Sequence, residues 1–215
     1  MYLFPDIKRN DIWQKGHNKL CKIEVKENKL YFENIRDMDY KNQLERYFDD
    51  FFDLDKLDKI ILHSIPFGFR KWFSHLILEF KFSDWKNIFL SVEARRQEGE
   101  WFSILKGLIP HYGLIFVWWT ENDLIWLRKN IRKDKIYSWE LNLYLEQAKK
   151  WLLYFVEKTN KLLEKPEYYN AITSNCTTNL YDALKKYSKK NIRFSWEIIF
   201  SAFVDRYLKK YGYMR

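Results

Sequence analysis

The chain of 215 residues contains few of the residues that build metal centres, disulfide frameworks or phosphate-binding loops. It has six glycines, and none of them forms a phosphate-cradling pattern. Its two cysteines, Cys21 and Cys176, fall in no metal-ligand spacing, and one pair cannot amount to a disulfide framework. His17, His63 and His111 also lack ligand spacing. We therefore expect no metal and no cofactor.

Long apolar runs are missing as well. No stretch approaches the ~18 uninterrupted apolar residues of a membrane span. Residues 1–6 are followed at once by charges instead of the hydrophobic region of a signal peptide. We expect neither feature in this chain, which leaves a cytoplasmic location open. The sequence has no linker, repeat or low-complexity segment, and its hydrophobic content of 47% suffices for one packed domain over residues 1–215.

The charge is strongly positive, at a formal +9. Basic residues cluster at 128–133, 185–190 and 209–210, among many tryptophans and tyrosines. Such a surface suits an anionic membrane, with aromatic residues at the interface. Nucleic acid would also be attracted, but no helix-turn-helix, zinc-finger or RNP signature accompanies the charge, so we expect no nucleic-acid partner. The remaining interpretation of the positive charge is that it belongs to an ordinary lysine-rich surface that contacts only solvent. The oligomeric state is not readable from the sequence.

A hairpin carries the first candidate site residues. Residues 74–82 and 86–95 are typical of two strands joined by a turn at 83–85. One register gives a wholly apolar face, on which Leu76, Leu78 and Phe80 stand opposite Val92, Leu90 and Ile88. On the other face, the same register places His75 across from Glu93, near enough for the carboxylate to hold one imidazole nitrogen and leave the other as a base. The alternative is a surface pair without a catalytic role.

Cys176 is the second candidate. The polar run Thr173-Ser174-Asn175 precedes it, and Leu180 and Leu184 continue an apolar stripe after it, which predicts that a helix begins here. A thiol in a first turn lies at the positive end of the helix dipole, where free N–H groups can also hold an oxyanion. A small buried hydrophobe is the alternative.

These residues make a Cys-His-Glu constellation of Cys176, His75 and Glu93, in which the thiolate attacks an ester or amide carbonyl and forms a thioester. Spacing alone does not establish contact between Cys176 and His75, since about a hundred residues separate them. The oxyanion candidates are the Cys176 N–H, the side chain of Asn175 or its vicinity, and Thr177. His63 is the rival base, but no carboxylate is evident across a hairpin from it.

The remaining pattern predicts an α+β fold, with an antiparallel sheet and packed helices. Strands are expected at 21–26, 30–34, 59–64, 113–120 and 136–141, and an acidic loop or short helix is expected at 49–58. Helices are expected at 121–132 and 143–164, from Cys176 onward, and from Ser195 as N-cap to Lys210.

Several segments together resemble the Lnb N-terminal periplasmic domain family over most of residues 10–215. They are Phe73–Phe80, Leu90–Arg95, Val117–Asp123 with Leu127-Arg128, Tyr168–Asn170, Asn175–Thr178, Trp196–Ile199, Asp205–Leu208 and Gly212. The resemblance implies a fold akin to circularly permuted papain-like (NlpC/P60) domains, in which histidine precedes cysteine as it does here. Cys176 would be the nucleophile and His75 the base.

The resemblance also implies a place in the bacterial cell envelope, and an acyltransferase activity. A known member is a lipoprotein N-acyltransferase, so the donor would be a phospholipid and the acceptor the amine of a lipoprotein N-terminal cysteine. A cysteine peptidase or amidase acting on cell-wall peptides is the alternative enzyme. A non-catalytic envelope binding module is the alternative of a different class. Glu121 and Arg128 match the family pattern and are expected to be surface charges or to shape the cleft.

Overall fold

The computed structural model describes residues 12–67 and 71–214. The strands in these ranges are β1 Lys22–Lys26, β2 Lys29–Arg36, β3 Tyr47–Asp53, β4 Leu57–Phe67, β5 Phe73–Phe82, β6 Asn87–Arg95, β7 Gly113–Trp119 and β8 Tyr137–Glu140. The α-helices are α1 Glu121–Trp126, α2 Leu145–Glu164, α3 Cys176–Tyr187, α4 Trp196–Ile199 and α5 Val204–Lys210. A π-helical turn at Leu127–Ile131 follows α1 directly, and 3-10 turns cover Leu54–Lys56, Lys106–Leu108 and Ser201–Phe203. Residues 1–6, which argued against a signal peptide, lie outside the described ranges.

The strands form one mixed sheet. Its order is β1-β2-β7-β6-β5-β4-β8, and β3 also pairs with β2. The β2–β7 pair is parallel, and the other described pairs are antiparallel. Helices α2 and α3 pack on this sheet. The predicted α+β class with packed helices is therefore confirmed. The sheet was expected to be antiparallel, and it is mostly so, with β2 and β7 as a parallel pair.

The hairpin of β5 and β6 pairs in the register that its apolar face predicted. Leu78 lies opposite Leu90, and Phe80 lies opposite Ile88. All four side chains are buried in the larger core cluster, beneath the helices. The prediction succeeded because a slip of one residue would have turned this apolar set toward the other face.

The two faces of the sheet carry separate apolar clusters. The larger cluster contains the inner side chains of the two long helices, including Trp151, Leu152 and Phe155 of α2 and Leu180 and Leu184 of α3. The smaller cluster consists of Ile65, Ile77, Phe89, Ile115, Val117, Trp119 and Leu124. Packing on both faces makes the central strands rigid, and the hairpin that carries His75 and Glu93 belongs to them.

A buried ion pair fixes α1 against the sheet. The Asp123 carboxylate accepts hydrogen bonds from Arg36 Nε at 2.8 Å, the Met38 N–H at 3.0 Å and the Tyr40 hydroxyl at 2.7 Å. Asp123 is completely buried and Arg36 is 5% exposed. The Arg36 guanidinium also lies over the Trp119 ring, 3.7 Å from its centroid. The start of α1 is thus held to the ends of β2 and β7.

Two predicted segments differ from the structure. The acidic stretch 49–58 was expected to be a loop or short helix, whereas β3 extends to Asp53 and the turn Leu54–Lys56 follows. Phe52 is the one fully buried side chain of β3, so the strand lacks the apolar alternation that would have predicted it. The strand forms through backbone pairing with β2.

The C-terminal helix was expected to run without interruption from Ser195 to Lys210, and this was wrong. The chain leaves the helix at Phe200 (φ −93°, ψ 78°) and passes through the turn Ser201–Phe203 before α5 begins. The Ser201 hydroxyl accepts from the Ser74 N–H at 2.7 Å and donates to the Ser74 carbonyl at 2.8 Å. The break therefore ties this segment to the residue beside His75.

Candidate active site

Cys176 is the first residue of α3, as the sequence predicted. Asn175 is the N-cap, and its side-chain oxygen accepts from the N–H groups of Thr177 and Thr178 at 2.8 and 2.9 Å. The thiol is partly buried, and its Sγ lies 3.9 Å from the Ser74 carbonyl oxygen and 3.8 Å from Thr177 Oγ1. The start of α3 therefore packs against the first residues of β5.

His75 and Cys176 line the same cleft, although about a hundred residues separate them in the chain. Burial alone would lower the pKa of His75, but hydrogen bonding with the Cys176 side chain and attraction to Glu93 outweigh it, and this pKa is raised. Burial alone would raise the pKa of Cys176, but the interaction with His75 and a hydrogen bond from the Leu76 backbone lower it. Both shifts bring the two pKa values closer together and stabilise the charged form of each group.

Glu93 lies against the imidazole of His75, with Nε2 and Oε1 3.4 Å apart, which is an ion-pair contact and not a tight hydrogen bond. The Ser91 hydroxyl donates to the same oxygen at 3.0 Å. Burial would raise the pKa of Glu93, but hydrogen bonding with His17 and His75 holds it well below its usual range. An ionised carboxylate at this position orients His75 and stabilises its charged form.

His17 is a member of the site that sequence reasoning missed. Its Nε2 lies 3.7 Å from Glu93 Oε2, so Glu93 lies between two imidazoles. The side chain is only 2% exposed, and burial lowers its pKa. The sequence analysis tested His17 only for metal-ligand spacing. No local pattern connects residues 17 and 93, so the pairing of His17 with Glu93 was missed.

The structure gives the Asn175 side chain a capping role. Besides accepting from Thr177 and Thr178, it donates through Nδ2 to the Ala171 carbonyl at 2.6 Å. Its oxygen and one of its two N–H donors are therefore engaged. The Cys176 N–H is not among the groups that Asn175 caps, and Thr177 places its hydroxyl beside the thiol.

A cleft of about 460 Å³ opens beside the thiol, within the usual range for small-molecule sites. Cys176, His75 and Glu93 all line it. Most of the wall is apolar, and it includes Phe67, Phe73, Val92, Phe102, Ile104, Leu108, Tyr169, Ile172 and Ile199. Arg128 also lines the cleft, whereas Glu121 is exposed and accepts from the Asn87 amide at 3.1 Å.

His63, the rival base, does have a carboxylate partner, and the sequence reading of it was wrong on this point. Its Nε2 lies 3.0 Å from Glu79 Oε2, and its Nδ1 lies 2.8 Å from the Ser138 hydroxyl. Glu79 was overlooked because it lies diagonally across the β4–β5 pair, where His63 is directly opposite Ile77. His63 does not line the cleft of Cys176.

The two cysteines should differ in reactivity. We expect iodoacetamide at neutral pH to label Cys176 faster than Cys21, which is 3% exposed and whose pKa is raised by burial. The thiolate is the nucleophile, so labelling of Cys176 should decline as the pH falls through its lowered pKa. His75→Ala should shift that profile to higher pH and slow labelling at pH 7, as measured by peptide mass spectrometry. Equal slow rates for both cysteines, unchanged in His75→Ala, would mark Cys176 as a core residue.

Comparison with family models identified one match. Residues 43–202, well over half of the chain, match the model described as the Lnb N-terminal periplasmic domain. Searches of curated proteins and of solved structures gave no match. Within residues 12–67 and 71–214, no helix is long and apolar enough to cross a membrane, and no group of three or more His, Cys, Asp or Glu side chains could hold a metal ion. The chain belongs to the family of Lnb N-terminal periplasmic domains, a bacterial cell-envelope family.

Proposed function

We propose that this domain is a cysteine-dependent acyltransferase, in which Cys176 is the nucleophile, His75 the general base and acid, and Glu93 the residue that orients His75. The observation that carries the proposal is the Cys176 thiol at the start of α3, with its pKa lowered by His75 on the wall of an apolar cleft. We also propose that the fold is related to that of circularly permuted papain-like (NlpC/P60) domains.

The first half of the reaction forms a thioester. The Cys176 thiolate attacks the carbonyl carbon of an ester, and the carbonyl oxygen becomes an oxyanion held by the Cys176 N–H. The Thr177 hydroxyl, 3.8 Å from the Cys176 Sγ, is a candidate second donor. The tetrahedral intermediate collapses, the alcohol leaves with the proton of the His75 imidazolium, and the acyl group remains on Cys176.

The second half regenerates the thiol. An amine enters, His75 removes its proton as the nitrogen attacks the thioester carbonyl, and the amide leaves as the Cys176 thiolate departs. Glu93 stays ionised throughout, since its pKa is well below the usual range. A water molecule in place of the amine would make the same site a hydrolase.

The wall of the cleft favours a fatty acyl group. A peptide needs hydrogen-bond partners along its backbone, whereas a hydrocarbon chain needs apolar surface, and the wall is predominantly aromatic and aliphatic. We therefore take a phospholipid as the donor and the N-terminal amine of a lipoprotein as the acceptor.

Exposed apolar side chains lie beside this cleft. In the segment between β6 and β7, Trp101 is 88% exposed, Leu105 is 77% exposed and Ile109 is 51% exposed. The neighbouring Ile104 and Leu108 both line the cleft and reach solvent. Apolar surface that continues into a lipid-binding cleft suits contact with a lipid bilayer. We take this segment as the membrane-facing side of the domain.

Vesicle binding tests the membrane contact. The protein should sediment with anionic vesicles more than with neutral ones, and less at high salt, because basic side chains near the surface are then screened. Trp101→Ser with Leu105→Ser should weaken binding at least about tenfold, because two apolar side chains that enter the bilayer on binding are lost. Trp85→Ser is the matched control, since Trp85 is 97% exposed at the far end of the β5–β6 hairpin. If Trp85→Ser weakens binding as much as the double variant, this surface is not the contact.

The activity is tested by supplying both substrates. Wild-type protein, phospholipid vesicles and a short peptide with an N-terminal cysteine should yield lysophospholipid and N-acylated peptide, and Cys176→Ser should yield neither. Cleavage of cell-wall peptides that depends on Cys176, without acyl transfer, would instead assign a peptidase or amidase. If neither reaction occurs and Cys176→Ser changes nothing, the domain is a binding module and the catalytic assignment is wrong.

A further inference from the structure

Three arginines line the same cleft as Cys176 and His75. Arg96 follows β6, Arg128 lies in the π-helical turn after α1, and Arg132 comes just after that turn. Three guanidinium groups on a mostly apolar wall are unusual, because a charge near apolar surface loses hydration. Their position therefore calls for a partner that provides negative charge.

Arg128 has an unmet hydrogen-bonding group. Its side chain is about nine-tenths buried, and Nη1 pairs with Asp134 Oδ2 at 3.1 Å. Its Nε is buried and has no partner among the described residues. A buried donor without an acceptor destabilises a fold, and in native structures it commonly marks a place for a ligand or water. The Arg128 side chain, part of which lines the cleft, thus leaves one buried donor without an acceptor among the described residues.

Protein carboxylates balance only part of the local charge, since Asp134 pairs with Arg128 alone. Among the described residues that line the cleft, Glu93 is the only carboxylate, and it is engaged by His17, His75 and Ser91. The charge of Arg128 acts on both His75 and Arg132, so these groups share one electrostatic environment. Arg132 is exposed at the rim, yet desolvation of its guanidinium and repulsion from Arg128 lower its pKa. An anion between these groups would relieve the repulsion.

We propose that Arg96, Arg128 and Arg132 form an anion subsite that binds the phosphate of the acyl donor while its hydrocarbon chain lies in the apolar part of the cleft. The identity of the donor rests on the proposed function. The binding of an anion by these arginines does not depend on catalysis and can be tested without it. Guanidinium groups hold phosphate oxygens through paired N–H donors, which lysine cannot reproduce. Binding the headgroup here would place an ester carbonyl near Cys176.

The test measures binding without turnover. In a Cys176→Ala background, calorimetry would compare dihexanoyl phosphatidylglycerol with dihexanoyl phosphatidylcholine, both monomeric, and with inorganic phosphate. We expect the anionic lipid to bind at least about tenfold more tightly than the zwitterionic one. Arg132→Gln at the exposed rim and the conservative Arg128→Lys should each reduce that preference severalfold. Arg46→Gln is the control, because Arg46 lies outside the cleft and pairs with Asp37 and Asp39.

The outcomes separate this subsite from the catalytic proposal. Affinities for both lipids that are unchanged in both cleft variants would overturn the subsite even if acyl transfer occurs. Retention of the preference in a wild-type protein that forms no thioester would support the subsite and reject the catalysis. If inorganic phosphate binds as tightly as the anionic lipid, with the same dependence on Arg128 and Arg132, the lipid assignment is wrong and the subsite takes free phosphate.

Discussion

Replacing Asp123 with alanine should lower the free energy of unfolding by about 3–5 kcal/mol, the usual cost of removing one partner of a buried ion pair. Asp123 is completely buried and accepts from Arg36, Met38 and Tyr40. Without the carboxylate, the Arg36 guanidinium keeps only the Gly16 carbonyl, at 3.2 Å, and the Trp119 ring as described contacts. Urea unfolding, extrapolated to water, measures the loss.

A surface pair provides the control for this prediction. Lys22 and Glu33 are 3.1 Å apart, with side chains 59% and 50% exposed. Glu33→Ala should therefore change the free energy of unfolding by less than about 1 kcal/mol. A total stability of about 5–15 kcal/mol is typical, so the Asp123 variant should lose a large fraction of it and the Glu33 variant very little. A loss below about 1 kcal/mol for Asp123→Ala would show that α1 is not held by this ion pair.

Replacing His75 with alanine should reduce acyl transfer by about 10²–10⁴-fold, the usual contribution of a general base. The physical reason is that His75 lowers the pKa of Cys176 and supplies the proton to the leaving alcohol. Vesicle binding should remain, since the exposed apolar segment is untouched. The measurement is the initial rate of N-acylated peptide formation at saturating lipid, beside a thermal melt that confirms folding.

His63 supplies the discriminating comparison. It also has a carboxylate partner, the buried Glu79, but it does not line the cleft. His63→Gln should keep the rate of acyl transfer within about threefold of wild type, since a residue away from the reacting atoms affects the rate only through stability. A folded His63→Gln protein that loses as much activity as His75→Ala would show that the base has been assigned to the wrong histidine.

The sequence predicted the local parts of this site well. The apolar face of the hairpin determined the register, and with it the neighbours His75 and Glu93. The polar run before Cys176 correctly located the start of α3, with Asn175 as its cap. Both features depend on residues close in the chain, or on a periodicity that burial enforces.

The long-range parts were not predictable from one sequence. The contact of His17 with Glu93 and that of Arg36 with Asp123 join residues far apart in the chain, and no periodic pattern carries that information. β3 was missed because an acidic strand stabilised by backbone pairing lacks an apolar alternation. The break at Phe200 was missed because it depends on the hydrogen bonds between Ser201 and Ser74. Tertiary contacts overrode local preference in each case.

The mass of Cys176 after exposure to phospholipid tests the central proposal most directly. Wild-type protein incubated with vesicles and no amine acceptor should gain the mass of one fatty acyl group, on the peptide that contains Cys176, and hydroxylamine should remove it as expected for a thioester. The adduct accumulates provided that water removes the acyl group more slowly than it is loaded, so rapid acid quenching accompanies the measurement. An unmodified Cys176 at every time point, in protein that binds the same vesicles, would contradict the assignment of Cys176 as an acyl-accepting nucleophile.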